Sequence, residues 1–314
     1  MTDAAPTLRI VDVGGAHEKV TVALMRAERC FERAGVSVTR RFVTNGGEAV
    51  ELLLAGDADA AIQAGFGPAL AAIANEAPLR VIAGANLLTV HAIYSRDPAI
   101  RGLEDLPGRT MGIGAPGALT HQLAFAALRK RGIDPNAVRF VTIGSSAKIF
   151  QALLRGEIDA GFGETDVYEH QAQYSVHALD GGVLWQELRG FPNQASFATR
   201  QAIAERREAL VRVLAAHALL YRRLQSPDGW EAFAAAWREG LPGAPLEEGR
   251  TQWRFYQTHK PFAEDLALPE GGCRFLQDIN IAMGRQTEAL PFDEIADLSL
   301  AREAIARLEP SARK

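Results

Sequence analysis

Four short segments carry the residue types that could hold a small molecule. Gly114-Ala115-Pro116-Gly117-Ala118-Leu119-Thr120-His121 follows an apolar run and opens an amphipathic stretch. Small residues at Gly114, Gly117 and Ala118 let the backbone approach a ligand. Amides at the start of the following helix, helped by its dipole, suit a carboxylate, sulfonate or phosphate. Thr120 adds a hydroxyl, whereas His121 fits a helix surface. Gly65-Phe66-Gly67 stands before Pro68, a favoured first-turn residue; Gly65 and Phe66 suit the rim of a site, and Phe66 suits a core equally well. Gly15 and His17 follow the first apolar run, where His17 reads as a ligand contact or as a solvated loop residue.

The fourth segment, Glu164-Thr165-Asp166, pulls the chemistry the other way. Acidic residues and threonine at a helix start cap free amides and complement the dipole. Turned into a cleft, Glu164 or Asp166 would instead receive an amine or a pyrimidine-like donor. Asn86 and Thr89, then Asn193 and Gln194, are further hydrogen-bonding candidates that equally suit the organisation of a hinge. The ligand these groups describe is zwitterionic or mixed in polarity.

Other chemistries find no support. The seven histidines lack a His-x-x-x-His pair or nearby cysteines, and Cys30 and Cys273 are too few for a cysteine-based zinc site or a disulfide scaffold. No phosphate-binding Walker segment and no serine nucleophile elbow occurs. No metal, no cofactor and no catalytic residue is therefore assigned. His17 as a general base with Glu164 or Asp166 remains the enzymatic alternative. Trp230, Trp237 and Trp253 lie in helical stretches where core packing is the expectation.

The elements that must position these segments follow an α/β grammar. Strands are expected at Leu8–Val13, Ser37–Phe42, Ala58–Gln63 and Leu79–Ala85, with helices over Val20–Ala34, Gly47–Ala55 and Pro68–Asn75 between them. After Arg101 the pattern restarts with strands at Thr110–Ile113, Val138–Ile143 and Ala160–Phe162 and helices at Leu119–Arg131, Ala147–Arg155 and from Thr165. Beyond Phe197 the chain turns helical, beginning with Gln201–Leu224. Ala49-Val50-Glu51-Leu52-Leu53-Leu54-Ala55-Gly56-Asp57-Ala58-Asp59-Ala60 is echoed by Phe150-Gln151-Ala152-Leu153-Leu154-Arg155-Gly156-Glu157-Ile158-Asp159-Ala160. Each copy is a helix ending at a glycine, where a left-handed cap costs little, then an acidic turn and a strand. Two related lobes facing one cleft are expected.

Composition agrees with this and narrows the partners. The 314 residues are 47% hydrophobic and 23% charged, enough for a sizeable core. Lys+Arg 34 against Asp+Glu 38 leaves a net charge of -4 with no basic block, which argues against a nucleic-acid partner. No apolar run approaches the ~20 residues that span a bilayer, so a soluble protein without membrane insertion is expected. Met1–Pro6 lacks the basic start and apolar stretch of a secretory signal. The expected location is periplasmic if a leader precedes this sequence, and cytoplasmic otherwise.

The echo, together with Gly102-Leu103-Glu104-Asp105-Leu106-Pro107-Gly108-Arg109-Thr110-Met111-Gly112-Ile113, resembles type II periplasmic binding proteins of the nitrate, sulfonate, taurine and hydroxymethylpyrimidine group. The resemblance covers about residues 8–225. It implies a two-lobed type II fold, each lobe a mostly parallel sheet flanked by helices, with a helical C-terminal tail packing mainly on the first lobe. Lobe 1 would comprise residues 1–90 and 198–314, and lobe 2 residues 91–197, with crossings near Leu88–Ile93 and Asn193–Ala198. The implied function is that of a monomeric substrate-binding protein, capturing a small polar organic ligand (sulfonate, carboxylate or pyrimidine-like) for an ABC permease and ATPase. The same scaffold resembles pyrimidine synthases, aryl-sulfinate desulfinases and enzymes of the futalosine route, which leaves a cytosolic synthase, desulfinase or decarboxylase/lyase as the alternative. The synthases' cysteine-rich segment is absent here, and His17 stands where the desulfinases place a cysteine.

Overall fold

The structure, a computed structural model, describes residues 7–309, except for the side chains of Ala16 and His17. Ten strands run in chain order: β1 Thr7–Val13, β2 Ser37–Val43, β3 Ala60–Ala64, β4 Leu79–Gly84, β5 Ala92–Ser95, β6 Thr110–Ile113, β7 Arg139–Thr142, β8 Ala160–Gly163, β9 His177–Val183 and β10 Ala195–Thr199. They form two five-stranded sheets of matching order, β2-β1-β3-β10-β4 and β7-β6-β8-β5-β9. In each sheet the fourth position is the antiparallel strand by which the chain arrives from the other sheet. The central strands β3 and β8 are buried on both faces, as strands covered by helices on both sides must be.

The internal echo has a physical basis. Asn45 Oδ1 caps one helix, Gly46–Leu54, by accepting from the amides of Gly47 and Glu48. A hundred residues on, Ser145 Oγ caps helix Ser146–Leu154 by accepting from the Lys148 amide. Gly56 and Gly156 follow these helices at φ +76° and +72°, the left-handed region that favours glycine. Asp59 then accepts from the Arg9 amide at 2.8 Å, and Asp159 from the Thr110 amide at 2.7 Å, so each acid fastens its repeat to the strand in the second position of its own sheet, β1 or β6.

Several expected elements are subdivided. The helix expected over Val20–Ala34 is two helices, Ala16–Ala27 and Cys30–Ala34, broken where Arg29 turns left-handed at φ 51°. The long C-terminal helix divides into Arg200–Glu205 and Arg207–Gln225, and the one expected from Thr165 into Thr165–Glu169 and Gln171–Tyr174. Strands β5, β9 and β10 were not expected; β5 and β10 occupy segments read as crossings. Because β10 pairs with β3 and β4, the chain has returned to the first sheet by Ala195.

Helix Trp230–Gly240 packs on Ala16–Ala27, and Ser299–Leu308 on Arg207–Gln225, which thickens the first lobe. Two further helices touch both lobes. Leu246–His259 reaches Thr165–Glu169, and Glu270–Ala282 touches Gly67–Ala74 on one side and Leu119–Lys130 on the other. Trp230, Phe233, Trp253 and Tyr256 pack with ring centroids 5.2–6.2 Å apart, and such pairs contribute roughly 0.5–1.5 kcal/mol beyond their burial. Cys30 and Cys273 are both free and buried, and burial pushes their thiols up to about 11 and about 12.

Candidate functional site

The carboxyl ends of the two sheets face a common seam, because the chain leaves β4 at its carboxyl end and enters β5 beside the carboxyl end of β8. Ala92 pairs with Gly163, and Ala195 pairs with both Ala64 and Gly84. His91 and Glu164 therefore stand at the edge of the second sheet, and Asn193 at the edge of the first. The outside of such carboxyl edges is where α/β sheets bind ligands.

The two crossings are clasped to each other. The Gln194 amide donates to the Asn86 carbonyl at 2.7 Å, and the Ala85 amide to the Gln194 carbonyl at 3.2 Å. Asn86 spends its side-chain oxygen on the Leu88 amide at 3.0 Å, which makes it a hinge organiser. Asn193 is different. Its residue is 4% exposed, and its Oδ1 is buried with no hydrogen-bond partner. A buried carbonyl left unpaired costs about 1–3 kcal/mol, and at a cleft edge it can accept from a donor.

The facing wall is built around His91, a residue the sequence reading passed over. Its Nδ1 lies 2.9 Å from Thr89 Oγ1 and its Nε2 lies 2.9 Å from Ser146 Oγ, at the start of a helix that follows β7. The Glu164 carboxylate is 4.0 Å from His91 Nε2 and its side chain is 26% exposed. Glu164 occupies the N-cap position of Thr165–Glu169 without making a side-chain cap hydrogen bond. The capping role that would explain an acid there is thus not what it does. Asp166 is half-buried in the next turn, where its charge helps to raise the phenols of Tyr94 and Tyr174, although burial is the main cause for both.

The glycine-rich segment is more self-contained than expected. The Gly114 amide donates to Thr120 Oγ1 at 2.8 Å, Gly117 to His121 Nδ1 at 3.0 Å and Ala118 to the Ala115 carbonyl at 3.0 Å. The hydroxyl of Thr120 fastens this loop. His121, packed against Phe140 and beside Arg285, is kept neutral as its ring is pushed down to about 4, chiefly by burial. What remains for an anion is the first turn of Leu119–Lys130, whose N-cap Ala118 supplies no side-chain acceptor. Gly117 and Ala118 also line a cavity of about 440 Å³ between the lobes, opposite Asn45, Glu48 and Pro68 and beside Asn280 and Arg285.

Gly65 meets the second lobe directly, its missing Cβ lying 3.4 Å from Leu119 Cβ. Phe66 is fully buried in the core beneath this loop. Gln122 Nε2 donates to Asn280 Oδ1 at 2.6 Å, and Asn280 Nδ2 donates to the Gly67 carbonyl at 2.8 Å. One asparagine of a C-terminal helix thereby ties both lobes together. On the other flank Thr165 donates to Gln252 at 3.2 Å, while Thr251 and Arg254 hold Glu169 at 2.9 and 2.6 Å. The lobes are latched on two sides.

Gly15 precedes the helix that follows β1 and is exposed, with open space where a Cβ would stand. The side chain of His17 lies outside the described residues. Its neighbour Glu18 enters a buried acid cluster that the sequence reading missed. Arg40 Nε lies 2.9 Å from Asp12 Oδ2, but the angles are poor and neither Asp12 oxygen receives a hydrogen bond. Glu18 is 3.9 Å from Arg40. Burial pushes Asp12 up to about 6, and burial together with Asp12 pushes Glu18 up to about 8. Among the described residues, no group of three or more His, Cys, Asp or Glu could hold a metal ion, and no helix is long and apolar enough to cross a membrane.

Comparison with known proteins places this geometry. Residues 27–241 match the family described as the periplasmic substrate-binding protein of the phosphonate ABC transporter. By sequence, no curated protein matches the chain. Among solved structures, the alkanesulfonate-binding protein of Xanthomonas axonopodis pv. citri, bound to MOPS, superposes with a TM-score of 0.74 at 18% identity, covering 93% of this chain and 98% of that one. The periplasmic nitrate-binding protein of Synechocystis PCC 6803 gives 0.73 at 15% identity, with 98% and 90% covered. The periplasmic aliphatic sulphonate-binding protein of Escherichia coli gives 0.72 at 18%, with 93% and 92% covered. At such identities the likeness carries the fold, and the ligand has to be argued from the site.

Proposed function

Because this chain belongs to the family of periplasmic substrate-binding proteins of ABC transporters, we propose that it captures one small organic molecule of mixed polarity between its lobes and delivers it to a membrane permease and ATPase. The ligand carries an acidic group and a nitrogen that donates hydrogen bonds. The observation that carries this reading is the buried, unpaired Oδ1 of Asn193 at the carboxyl edge of the first sheet. That acceptor, with the partly exposed carboxylate of Glu164 at the edge of the second sheet, suits N–H groups, which nitrate and simple sulfonates lack. The first turn of Leu119–Lys130 suits the acidic end through its amides and dipole.

No covalent chemistry is required. Closure sequesters the ligand, and the latched arrangement of the lobes forms the surface that a permease reads. One chain supplies both lobes and both latches, so the receptor works as a monomer in the periplasmic space. The test is calorimetric titration of the folded, ligand-free protein with matched pairs of compounds, such as taurine against ethanesulfonate and an aminoalkylphosphonate against its deaminated analogue. The amino members should bind at least about tenfold more tightly, the worth of one charge-assisted hydrogen bond. Equal binding of the members of each pair would overturn the ligand class, and absence of binding across organic anions, zwitterions and aminopyrimidines would overturn the receptor reading.

A further inference from the structure

A second cavity, of about 930 Å³, is lined by residues of both crossings, at the hinge. Its walls come from four parts of the fold. Ala126 and Arg129 belong to the last turns of Leu119–Lys130, Leu188 to Pro192 to the returning crossing, and Phe275 and Ile279 to helix Glu270–Ala282. Leu87 of the outgoing crossing completes it. The apolar surface it presents comes from half-buried Leu87 and Phe275 and exposed Pro269, and buried Phe191 backs Phe275 edge-on at 6.2 Å. The volume falls in the range of pockets that enclose whole small molecules.

The polar groups at its rim are unequal. Lys130 bonds to Glu187, and Asp278 is held by Arg274 at 3.0 Å, so the acids facing the cavity are neutralised by their neighbours. Arg129 and Arg189 are exposed, and among the described residues neither has an ion-pair partner. An apolar chamber with two unengaged guanidinium groups at its rim is complementary to an apolar body with an anionic head.

We propose that this hinge cavity is a second binding site, for an amphipathic organic anion, whose aryl or alkyl body lies against Leu87, Pro269 and Phe275 while its acidic head meets Arg129 and Arg189. The site goes beyond the interlobe cleft, and its position makes it regulatory. Leu87 and Pro192 line it, and their immediate neighbours Asn86 and Asn193 stand at the cleft. Helix Glu270–Ala282, one of its walls, is tied through Asn280 to Gly67 of the first lobe, while Leu119–Lys130 belongs to the second. Hinge bending alters the spacing of these walls, so an occupant binds one arrangement of the lobes better than the other. By reciprocity, it changes the affinity of the cleft by the factor with which the cleft ligand changes its own.

The experiment uses the full chain without a cleft ligand and titrates it with 1-anilinonaphthalene-8-sulfonate, reading fluorescence, with decanoate as competitor and uncharged N-phenyl-1-naphthylamine as comparator. Saturable one-to-one binding that decanoate displaces is expected. Reversal of both rim charges (Arg129→Glu with Arg189→Glu) should weaken the sulfonate by about tenfold and leave the neutral dye unchanged. Gly271→Trp projects an indole from the rim, where a Cβ meets nothing within 4 Å, and should abolish binding of both dyes. Gly190→Leu, equally unobstructed on the opposite wall, repeats the test should the first variant melt early. Unchanged dye binding in a filling variant with a wild-type melting curve overturns the site. Equal loss of both dyes on charge reversal overturns the anionic head. No saturable binding, with self-association relieved by Gly271→Trp, assigns the cavity to a second copy of the chain and overturns the proposal. None of these outcomes depends on the cleft ligand, so failure here is distinct from failure of the receptor reading.

Discussion

Glu164 holds its carboxylate 4.0 Å from His91 Nε2 while leaving the helix it precedes without a side-chain cap. Both nitrogens of His91 already face hydroxyls, Thr89 on one side and Ser146 on the other. Hydroxyls donate or accept as needed, so both ring nitrogens are engaged and the ring's position is fixed. This brings a carboxylate and an oriented imidazole together at the carboxyl edge of β8, an arrangement suited to receiving N–H donors.

Glu164→Gln keeps the shape and removes the charge. Affinity for an amine-bearing ligand should fall about 10- to 100-fold, the range for a lost charge-assisted hydrogen bond, while a ligand of the same shape without the amine is unaffected. Calorimetry with both ligands checks this. An equal loss for both would mean that Glu164 shapes the wall without contacting the ligand.

Asn193→Leu separates function from stability. The orphaned Oδ1 disappears and an apolar side chain of similar volume replaces it, so the ligand-free protein should melt higher, by roughly 1 kcal/mol of stability, while ligand binding is lost. Chemical denaturation alongside calorimetry reads both quantities. A destabilised variant that still binds would place Asn193 in the scaffold alone.

How far the sequence speaks differs between these residues, for physical reasons. The repeated helix, glycine and acid were legible because Asp59 and Asp159 act locally, each fastening its own repeat to a neighbouring strand. Strands β5 and β10 were not, since each is a short, mostly buried segment within a crossing, without the alternation that marks a half-exposed strand. Glu164 stood out as an acid after an expected strand, and Asn193 as a polar residue near an expected crossing. His91 did not, because a lone histidine beside apolar neighbours reads as core until Ser146, 55 residues away, is brought to its Nε2. The double latch through Asn280 and Gln252 depends on helices far along the chain, and no local pattern announces it.

The Asn280 latch gives a conformational prediction. Asn280→Ala cuts the tie between Gln122 and the Gly67 carbonyl and leaves both buried partners short of a hydrogen bond. A cost of about 1–3 kcal/mol is expected, concentrated in the closed arrangement. Small-angle scattering should show a larger radius of gyration than wild type, and saturating cleft ligand should abolish the difference. An unchanged radius with the same loss of stability would confine Asn280 to packing.

Gly46 sets the distance between two loops at the cleft edge. A Cβ there would stand 1.9 Å from the Gly65 carbonyl oxygen, a backbone atom that cannot rotate away. Gly46→Ala should therefore displace the Gly65 loop and its contact with Leu119, with a loss of about 1–3 kcal/mol, typical of overpacking. Gly47→Ala is the control, since its Cβ meets only the Asn45 side-chain oxygen at 3.0 Å. Similar melting shifts for the two variants would remove the loop contact as the cause.

The acid cluster beneath the first strand makes stability depend on pH in a stated direction. Glu18 is pushed up to about 8 by burial first and by the charge of Asp12 second, against the opposing effects of Arg40 and Thr21. An acid whose folded value lies above its unfolded value binds more protons in the folded state. The stabilisation is therefore complete below the ordinary glutamate range and is lost as the pH rises from about 4.5 through about 8. Glu18→Gln abolishes that dependence, because the amide stays neutral. Relative to wild type, the variant should be little changed at about pH 5 and more stable by roughly 1–3 kcal/mol at about pH 9. Urea denaturation at the two values measures the difference. A gap of the same size at both would mean that Glu18 is already ionised in the folded protein at the lower pH, held by Arg40 strongly enough to overcome its burial.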